Sequence, residues 1–493
     1  MCGIIGVIGT SYAAQEVYQG LLLLQHRGQD SAGILSYDFH RKTYHQHKDL
    51  GQVSQVFDLK TLERLEGQMS LGHTRYSTVG GSQIKDVQPL VVGYPFGLGI
   101  VHNGNLVNFY QLREKLSQQS KRHIFSNNDL EALLNLMAAG LIESKNEALS
   151  FDDITHAVSK IYDAALGGYS VLVSIADHGL LAFRDPNGIR PLVWGEKELS
   201  EAEKKQSGSS KAYCFSSESN ALNFLGYKLN RDLKPGEVVF ISKTGQVFQK
   251  VLNQQTTANC MFEYIYFATP ESTMETKNVY QVRLQMGQAL AEQIEPLIAS
   301  GEITPDVIVP VPETSRVSAI SLSEKLGIPY REVLIKNRYI QRSFILNTPE
   351  SRKRAVQLKL TPVASEIKGK KILLVDDSIV RGTTSKRIIE MVRDAGAKEV
   401  YIATTCPPIR HPCFYGIDFP NPEELVAYKK TEEEIAANQK ADRVVYMSLD
   451  GLLKSIGKKD LCLACITGKY PVDISAGESF SKKREKDRTE EKL

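Results

Sequence analysis

The sequence predicts an α/β chain of two domains, a layered β-rich domain followed by one built on a parallel sheet. Three observations carry this. At 493 residues the chain is too long for one ordinary core. Short strand-like runs recur as far as position 245 or so. Beyond about position 260 strands alternate with helical patterns, the rhythm of a parallel sheet with helices on its faces.

In chain order, residues 4–8, 98–102 and 169–174 are the clearest strands of the first half. The last runs into a turn at Asp177-His178-Gly179 and then 180–183, which makes a hairpin. Apolar spacing predicts a helix over 130–142. The polar stretch 196–211 reads as an exposed insertion, and Pro235-Gly236 closes a turn before a last strand at 237–241. Residues 253–257 are polar and linker-like, so the domain boundary is expected between 245 and 260. A helix over 283–300 then leads to a strand at 307–311. A further helical segment leads to the run 372–385, with another strand at 400–403.

Composition excludes several classes. Hydrophobic residues make up 42% and charged residues 24%, as in ordinary globular proteins. The formal charge of +3 leaves no electrostatic footprint for nucleic acid. No apolar run approaches the ~20 residues needed to cross a bilayer. The first residues lack a basic region with an apolar secretion core, so a cytoplasmic protein is expected. Seven cysteines form no disulfide framework at this length. The charged ending, 476–493, is expected to be a disordered tail.

The run Ile372 to Ser385 is the most informative stretch. A strand ends in the adjacent carboxylates Asp376 and Asp377. A loop of small and hydroxylated residues follows, then a helix with Ile388, Ile389, Val392 and Ala395 on one face and Gly396 as its stop. A helix N-terminus presents unpaired N–H groups that suit a phosphate. Carboxylates at the carboxyl end of such a strand suit a diol or a magnesium ion. A ribose phosphate offers both partners. A buried strand leading to a solvated acidic turn is the alternative. A nucleotide P-loop lacks its spacing here, and the Arg381-Gly382-Thr383-Thr384 loop argues against a receiver domain.

This run resembles the phosphoribosyltransferase signature. The resemblance implies that Asp376 and Asp377 meet the ribose hydroxyls and magnesium. Ser378, Arg381, Gly382, Thr383 and Thr384 would enclose the 5-phosphate, and Thr314, in Pro310-Val311-Pro312-Glu313-Thr314, would be a further magnesium-associated position. A capping hydroxyl is the alternative for Thr314.

At the other end, Met1-Cys2-Gly3 favours removal of the initiator methionine. Cys2 would then carry a free α-amine of reference pKa ~7.7–8.0, a thiol and base in one residue. Alone this is weak. It is joined by Gln25-His26-Arg27-Gly28-Gln29-Asp30, Gly72-His73-Thr74-Arg75-Tyr76-Ser77-Thr78, His102-Asn103-Gly104-Asn105 and Asn128-Asp129-Leu130-Glu131. Together these resemble the glutaminase domain of N-terminal-nucleophile amidotransferases, which implies a four-layer αββα fold. On that resemblance Cys2 attacks glutamine, and Asn103 with the Gly104 N–H forms the oxyanion hole. Arg75 would hold the substrate carboxylate and Asp129 its ammonium, with Arg27 in the glutamine site. A structural ion pair is the alternative for Arg27 and Asp129, and a hairpin turn for Asn103-Gly104.

A glutaminase joined to a phosphoribosyl-binding domain resembles the amidophosphoribosyltransferase family from residue 2 to about 475. The resemblance implies domains over 2–250 and 260–470. It also implies glutamine and phosphoribosylpyrophosphate as substrates, Mg2+, a homotetramer and inhibition by purine nucleotides. The basic segment from Lys336, with Arg338, Arg342, Arg352, Lys353 and Arg354, resembles the family's closing loop, although Asn347-Thr348-Pro349 and 356–360 depart from the usual pattern. A regulatory protein that binds phosphoribosylpyrophosphate without converting it is the rival reading, as is a glutaminase with a decayed transferase half.

Cys462-Leu463-Ala464-Cys465, with Cys260 and Cys413, makes a possible set of four thiolates. Spacing leaves zinc and iron–sulfur equally open. The contexts resemble the iron–sulfur-bearing branch of the family, which implies a 4Fe–4S cluster of structural role. Cys214 and Cys406 are expected to be unliganded.

Overall fold

The computed structural model describes residues 2–76, 83–143, 149–336, 360–477 and 483. The basic segment 337–359, Ser77, Thr78 and nearly all of the charged tail lie outside the described residues. The first half is built on β1 (Gly3–Ile8), β2 (Ser31–Asp38), β3 (Thr43–Leu50), β4 (Met69–Arg75), β5 (Leu90–Val92), β6 (Leu98–Leu106), β7 (Gly167–Ile175), β8 (Gly179–Arg184), β9 (Val193–Glu198), β10 (Lys211–Ser216), β11 (Lys228–Asp232), β12 (Glu237–Ser242) and β13 (Val247–Val251). They form two antiparallel sheets among the described residues, ordered β11-β9-β10-β1-β4-β2-β3 and β13-β12-β8-β7-β6-β5.

Strand alternation builds the layers. Ile5 and Val7 of β1 pack with Val17 and Leu21 of the helix Ala13–Leu23, on the outer face of the first sheet. Ile4 and Ile8 turn the other way, into a core shared with Val101, Leu172, Val239 and Ile241 of the second sheet. That sheet's outer residues Ile100, Val173 and Leu181 meet the helices Leu130–Ile142 and Phe151–Ala164. The order is helix, sheet, sheet, helix.

Three readings of the sequence are corrected. Residues 196–211 are not an inserted loop, because β9 and β10 pair across them with Glu198 opposite Lys211. Only the helix Glu201–Ser207 between them projects. The strand ends look polar because Lys211 bridges Glu196 at 2.8 Å and Glu198 at 3.1 Å. Strand β12 is followed by β13, whose outer half is solvent-exposed and so lacks the apolar alternation of a core strand. Strand β6 continues to Leu106, since its polar residues pair with β7 inside the sheet, His102 opposite Val171, Asn103 opposite Ser170 and Asn105 opposite Gly168.

The second half adds β14 (Asn259–Cys260), β15 (Thr273–Met274), β16 (Lys277–Asn278), β17 (Val307–Pro310), β18 (Leu334–Lys336), β19 (Leu360–Pro362), β20 (Lys371–Asp376), β21 (Glu399–Thr404), β22 (Arg443–Tyr446) and β23 (Leu461–Cys462). Strands β17-β20-β21-β22 form a parallel sheet in that order. Ile372 and Leu374 pack on Ile388, Ile389 and Val392 of the helix Thr383–Asp394. Leu373 and Val375 face Met286 and Leu290 of the helix Val279–Ala299. The latter core runs on through Phe262, Phe414 and Tyr415 to Leu106 and Ile189, so the two halves share buried apolar surface.

Candidate active sites

Cys2 precedes β1, and Asn103 lies on β6 of the facing sheet. Packing of the two sheets therefore brings them together. The Cys2 backbone nitrogen donates to Asn103 Oδ1 at 3.3 Å, and Cys2 Sγ lies 4.0 Å from Tyr76 O. Asn103 Nδ2 is buried with no hydrogen-bond partner. Because the oxygen of that amide is held at the Cys2 nitrogen, an unused donor sits next to Cys2, the arrangement a tetrahedral oxyanion needs. Gly104 follows on the same strand, where a Cβ would lie 2.2 Å from Gly168 O. Only glycine lets β6 and β7 approach this closely.

Arg75 closes β4 and is buried. A Cβ on Gly28 would lie 2.5 Å from the Arg75 carbonyl carbon, and Asp30 N donates to Arg75 O at 2.9 Å. The two arginine-bearing motifs are thus packed backbone to backbone. Asp129 is also buried. Its Oδ2 accepts from Leu106 N at 2.8 Å, and its Oδ1 lies 3.3 Å from His102 Nε2. The amide of Gln88 holds His102 at both Nδ1 and the backbone N–H, each at 2.8 Å. Burial and the neighbouring His102 and Arg75 push His73 well down, so it is neutral.

Arg27 makes a structural ion pair. Its guanidinium is fully buried and committed to the protein: Nε donates to Cys2 O at 3.1 Å, Nη1 to Glu218 and Nη2 to Glu263 at 2.8 and 2.9 Å. It holds the Cys2 carbonyl, and the two carboxylates make the structural ion pair that the sequence left as the alternative. Burial opposes the Glu218 charge, but Arg27 and His26 outweigh it and hold this carboxylate well below its ordinary range. Glu218 also accepts from Thr269 N at 2.9 Å and Ser272 Oγ at 2.9 Å, residues of the second half. Neither Glu218 nor Glu263 carries a motif; Glu263 stands among aromatic residues, and Glu218 in a polar run that looks solvated in sequence. Its burial is visible only in the fold.

The second site lies at the carboxyl ends of β17, β20 and β21. Asp376 and Asp377 are both buried. Thr314 Oγ1 and Ser378 Oγ donate to the two Asp377 oxygens at 2.6 and 2.8 Å, and Asp377 N donates to Asp376 Oδ1 at 2.9 Å. Burial and the adjacent charge raise the Asp376 pKa. Burial raises that of Asp377 too, against its hydroxyl donors. Two such carboxylates are suited to a cation and to hydroxyl donors. Arg283, which carried no sequence signal, stands near Asp377 and is fixed by Tyr264 O at 3.0 Å and Ala268 O at 2.8 Å.

Gly382, at φ +75°, opens the helix Thr383–Asp394, which has no side-chain cap; Thr383 and Thr384 are exposed there. The Arg381 side chain turns away to Glu424 Oε2 at 2.7 Å and Asp418 O at 2.9 Å. A phosphate on this loop would meet backbone N–H groups and hydroxyls instead of that guanidinium.

The four candidate cysteines converge from distant positions. Cys260 and Cys462 are partners across the parallel β14–β23 pair, and Cys465 O accepts from Arg410 N and His411 N at 3.0 Å. Tyr415 N donates to Cys413 Sγ at 3.5 Å. All are free thiols. Burial, with the neighbouring Cys413, Cys406, Cys462 and Cys260, raises Cys465 well above its ordinary value; burial takes Cys260 up to about 11 despite Arg190. Among the described residues no group of three or more His, Cys, Asp or Glu is arranged to hold a single metal ion. No described helix is long and apolar enough to cross a membrane.

Known proteins match both halves. The family model for a glutamine amidotransferase domain matches residues 73–223, and that for a phosphoribosyl transferase domain matches 277–415. The amidophosphoribosyltransferase of Pasteurella multocida is 41% identical over 99% of this chain and 98% of its own. That of Methanocaldococcus jannaschii is 43% identical over 96% of this chain and 98% of its own. The glutamine phosphoribosylpyrophosphate amidotransferase from B. subtilis, solved with ADP and GMP, is similar at TM-score 0.82 and 37% identity, covering 96% of this chain and 98% of that one.

Proposed function

The chain belongs to the amidophosphoribosyltransferase family, and we propose that Cys2 is its glutaminase nucleophile and the Asp376–Asp377 pair its sugar-phosphate anchor. The enzyme hydrolyses glutamine and transfers the ammonia to phosphoribosylpyrophosphate. The products are 5-phosphoribosylamine, glutamate and pyrophosphate, in purine biosynthesis. The domain limits proposed are 2–250 and 260–470.

Loss of Met1 frees the Cys2 α-amine, which takes the thiol proton as the sulfur attacks the glutamine amide. Asn103 Oδ1 holds that nitrogen in place. Asn103 Nδ2 and the Gly104 N–H receive the oxyanion. On collapse the C–N bond breaks and the α-ammonium returns its proton to the leaving nitrogen, which departs as ammonia. Water then releases glutamate from the thioester and restores the thiol. Arg75 and Asp129 select the substrate's carboxylate and ammonium; Arg27 positions Cys2. The unused buried Nδ2 beside the nucleophile is the observation that supports this most directly.

At the second site, Asp376 and Asp377 accept the ribose hydroxyls, and Ser378, Gly382, Thr383 and Thr384 receive the 5-phosphate. Asp376, Asp377 and Thr314 would hold Mg2+, whose contribution is charge neutralisation of the departing pyrophosphate. The raised, crowded carboxylates fit that role. Cys260, Cys413, Cys462 and Cys465 would hold a 4Fe–4S cluster that pins the C-terminal segment to the domain junction. Their convergence as free, mostly buried thiols near the buried Arg190 supports this reading. Feedback by purine nucleotides draws support from the ADP and GMP bound to the B. subtilis relative. A homotetramer in the cytoplasm completes the reading.

The test is incubation with glutamine, with and without phosphoribosylpyrophosphate and Mg2+. Glutamate release should rise strongly with the sugar phosphate and match pyrophosphate mole for mole. Glutamate without pyrophosphate would mark a decayed transferase, and neither product a binding protein.

A further inference from the structure

Asn105 has no role in the chemistry above, yet it is buried at the end of the oxyanion strand. Its Nδ2 donates to Phe414 O at 2.8 Å, across 309 positions of sequence, while its Oδ1 accepts nothing. One residue earlier the same two segments meet through their backbones. A Cβ on Gly416 would lie 3.3 to 3.6 Å from the backbone of Gly104. Between these contacts, Tyr415 O accepts from Arg190 Nε at 2.7 Å. Arg190 is fully buried, and its Nη1 lies 3.5 Å from Glu263 Oε1. Glu263 holds Arg27, which donates to Cys2 O. Segment 414–416 thus bears on the oxyanion strand through Asn105 and Gly104, and on the nucleophile through Arg190, Glu263 and Arg27. It directly follows Cys413.

We infer that Asn105 and Arg190 are positioning residues that clamp the Cys413-bearing arm onto the glutaminase site and so hold the oxyanion donors in register with Cys2. This rests on the assignment of Cys2 and Asn103 above. Donors to a developing oxyanion must be held within ~0.5 Å, and a displacement of ~1 Å costs on the order of 100-fold in rate. Asn105 uses only its donor. Aspartate has the same shape but would set an oxygen against Phe414 O in a buried place.

The experiment compares the full-length wild type with Asn105→Ala, Asn105→Asp and Arg190→Lys, using glutamine and ammonium separately as nitrogen source. Iron, sulfide, the visible spectrum and thermal unfolding are recorded on the same preparations. The expected result is a glutamine kcat lowered about 10-fold or more in Asn105→Asp and less in Asn105→Ala, with glutamine KM nearly unchanged. Arg190→Lys should fall in the same direction. Ammonia-dependent synthesis and iron content should match wild type. The clamp is overturned if glutamine kcat is unchanged in both Asn105 variants, or if ammonia-dependent synthesis falls in parallel with it. Should Asn105→Asp not fold, Asn105→Ala decides alone. Glutamine turnover retained by Cys2→Ala would instead overturn the nucleophile assignment.

Discussion

Asn103 divides its side chain: its oxygen fixes the Cys2 nitrogen, while its buried Nδ2, the donor proposed for the substrate's oxyanion, has no partner in the protein. Replacing it with alanine should lower glutamine kcat about 100- to 1,000-fold while leaving ammonia-dependent synthesis intact, as steady-state assays with each nitrogen source will show. Equal loss with both sources would refute the assignment. At the other site, Asp376 and Asp377 are two buried carboxylates side by side, and burial with the adjacent Asp377 raises the Asp376 pKa, so ionising both there costs stability. Asp376→Asn removes one of them. It should raise the ligand-free melting temperature by a few degrees, roughly 2–4 °C per kcal/mol relieved, and abolish synthesis from both nitrogen sources. A lower melting temperature would mean the pair is stabilising as it stands.

Strand β6, which carries the proposed oxyanion donors, meets β7 without a side chain at Gly104. In Gly104→Ala the new Cβ meets Gly168 O and the Tyr169 Cα, both main chain, so the strands must part. Glutamine use should be lost while ammonia-dependent synthesis continues; preserved glutamine turnover would show that β6 can yield. The parallel sheet was legible in sequence because Ile372, Leu373, Leu374 and Val375 form an apolar run ending in charge. The length of β6 was not, because His102, Asn103 and Asn105 are polar residues that the facing layers bury. The hairpin of β9 and β10 escaped for a related reason, its outer ends being laced by Lys211 to Glu196 and Glu198.

Across the whole molecule, Glu218 ties the Cys2 carbonyl to the second half through Arg27 on one side and Thr269 and Ser272 on the other. Its folded-state pKa is depressed, so its stabilisation is complete above its ordinary value near 4.5 and is lost as pH falls through the lower folded value. Glu218→Gln should therefore melt well below wild type at pH 7, with the gap narrowing steadily as the pH is lowered from about 5 towards 3. A gap independent of pH would assign the loss to packing. By itself the sequence determined the two-domain plan, the motifs around Cys2, Asn103 and Asp376–Asp377, and the candidate thiols, because local patterns and residue chemistry are written in contiguous residues. Only the tertiary structure decided that Arg27 donates to Cys2 O, that Arg381 turns to Glu424, and that Asn105 reaches Phe414. Those outcomes depend on which distant carboxylates and carbonyls folding buries beside each side chain, and burial of a charge beside a partner hundreds of residues away leaves no periodic trace.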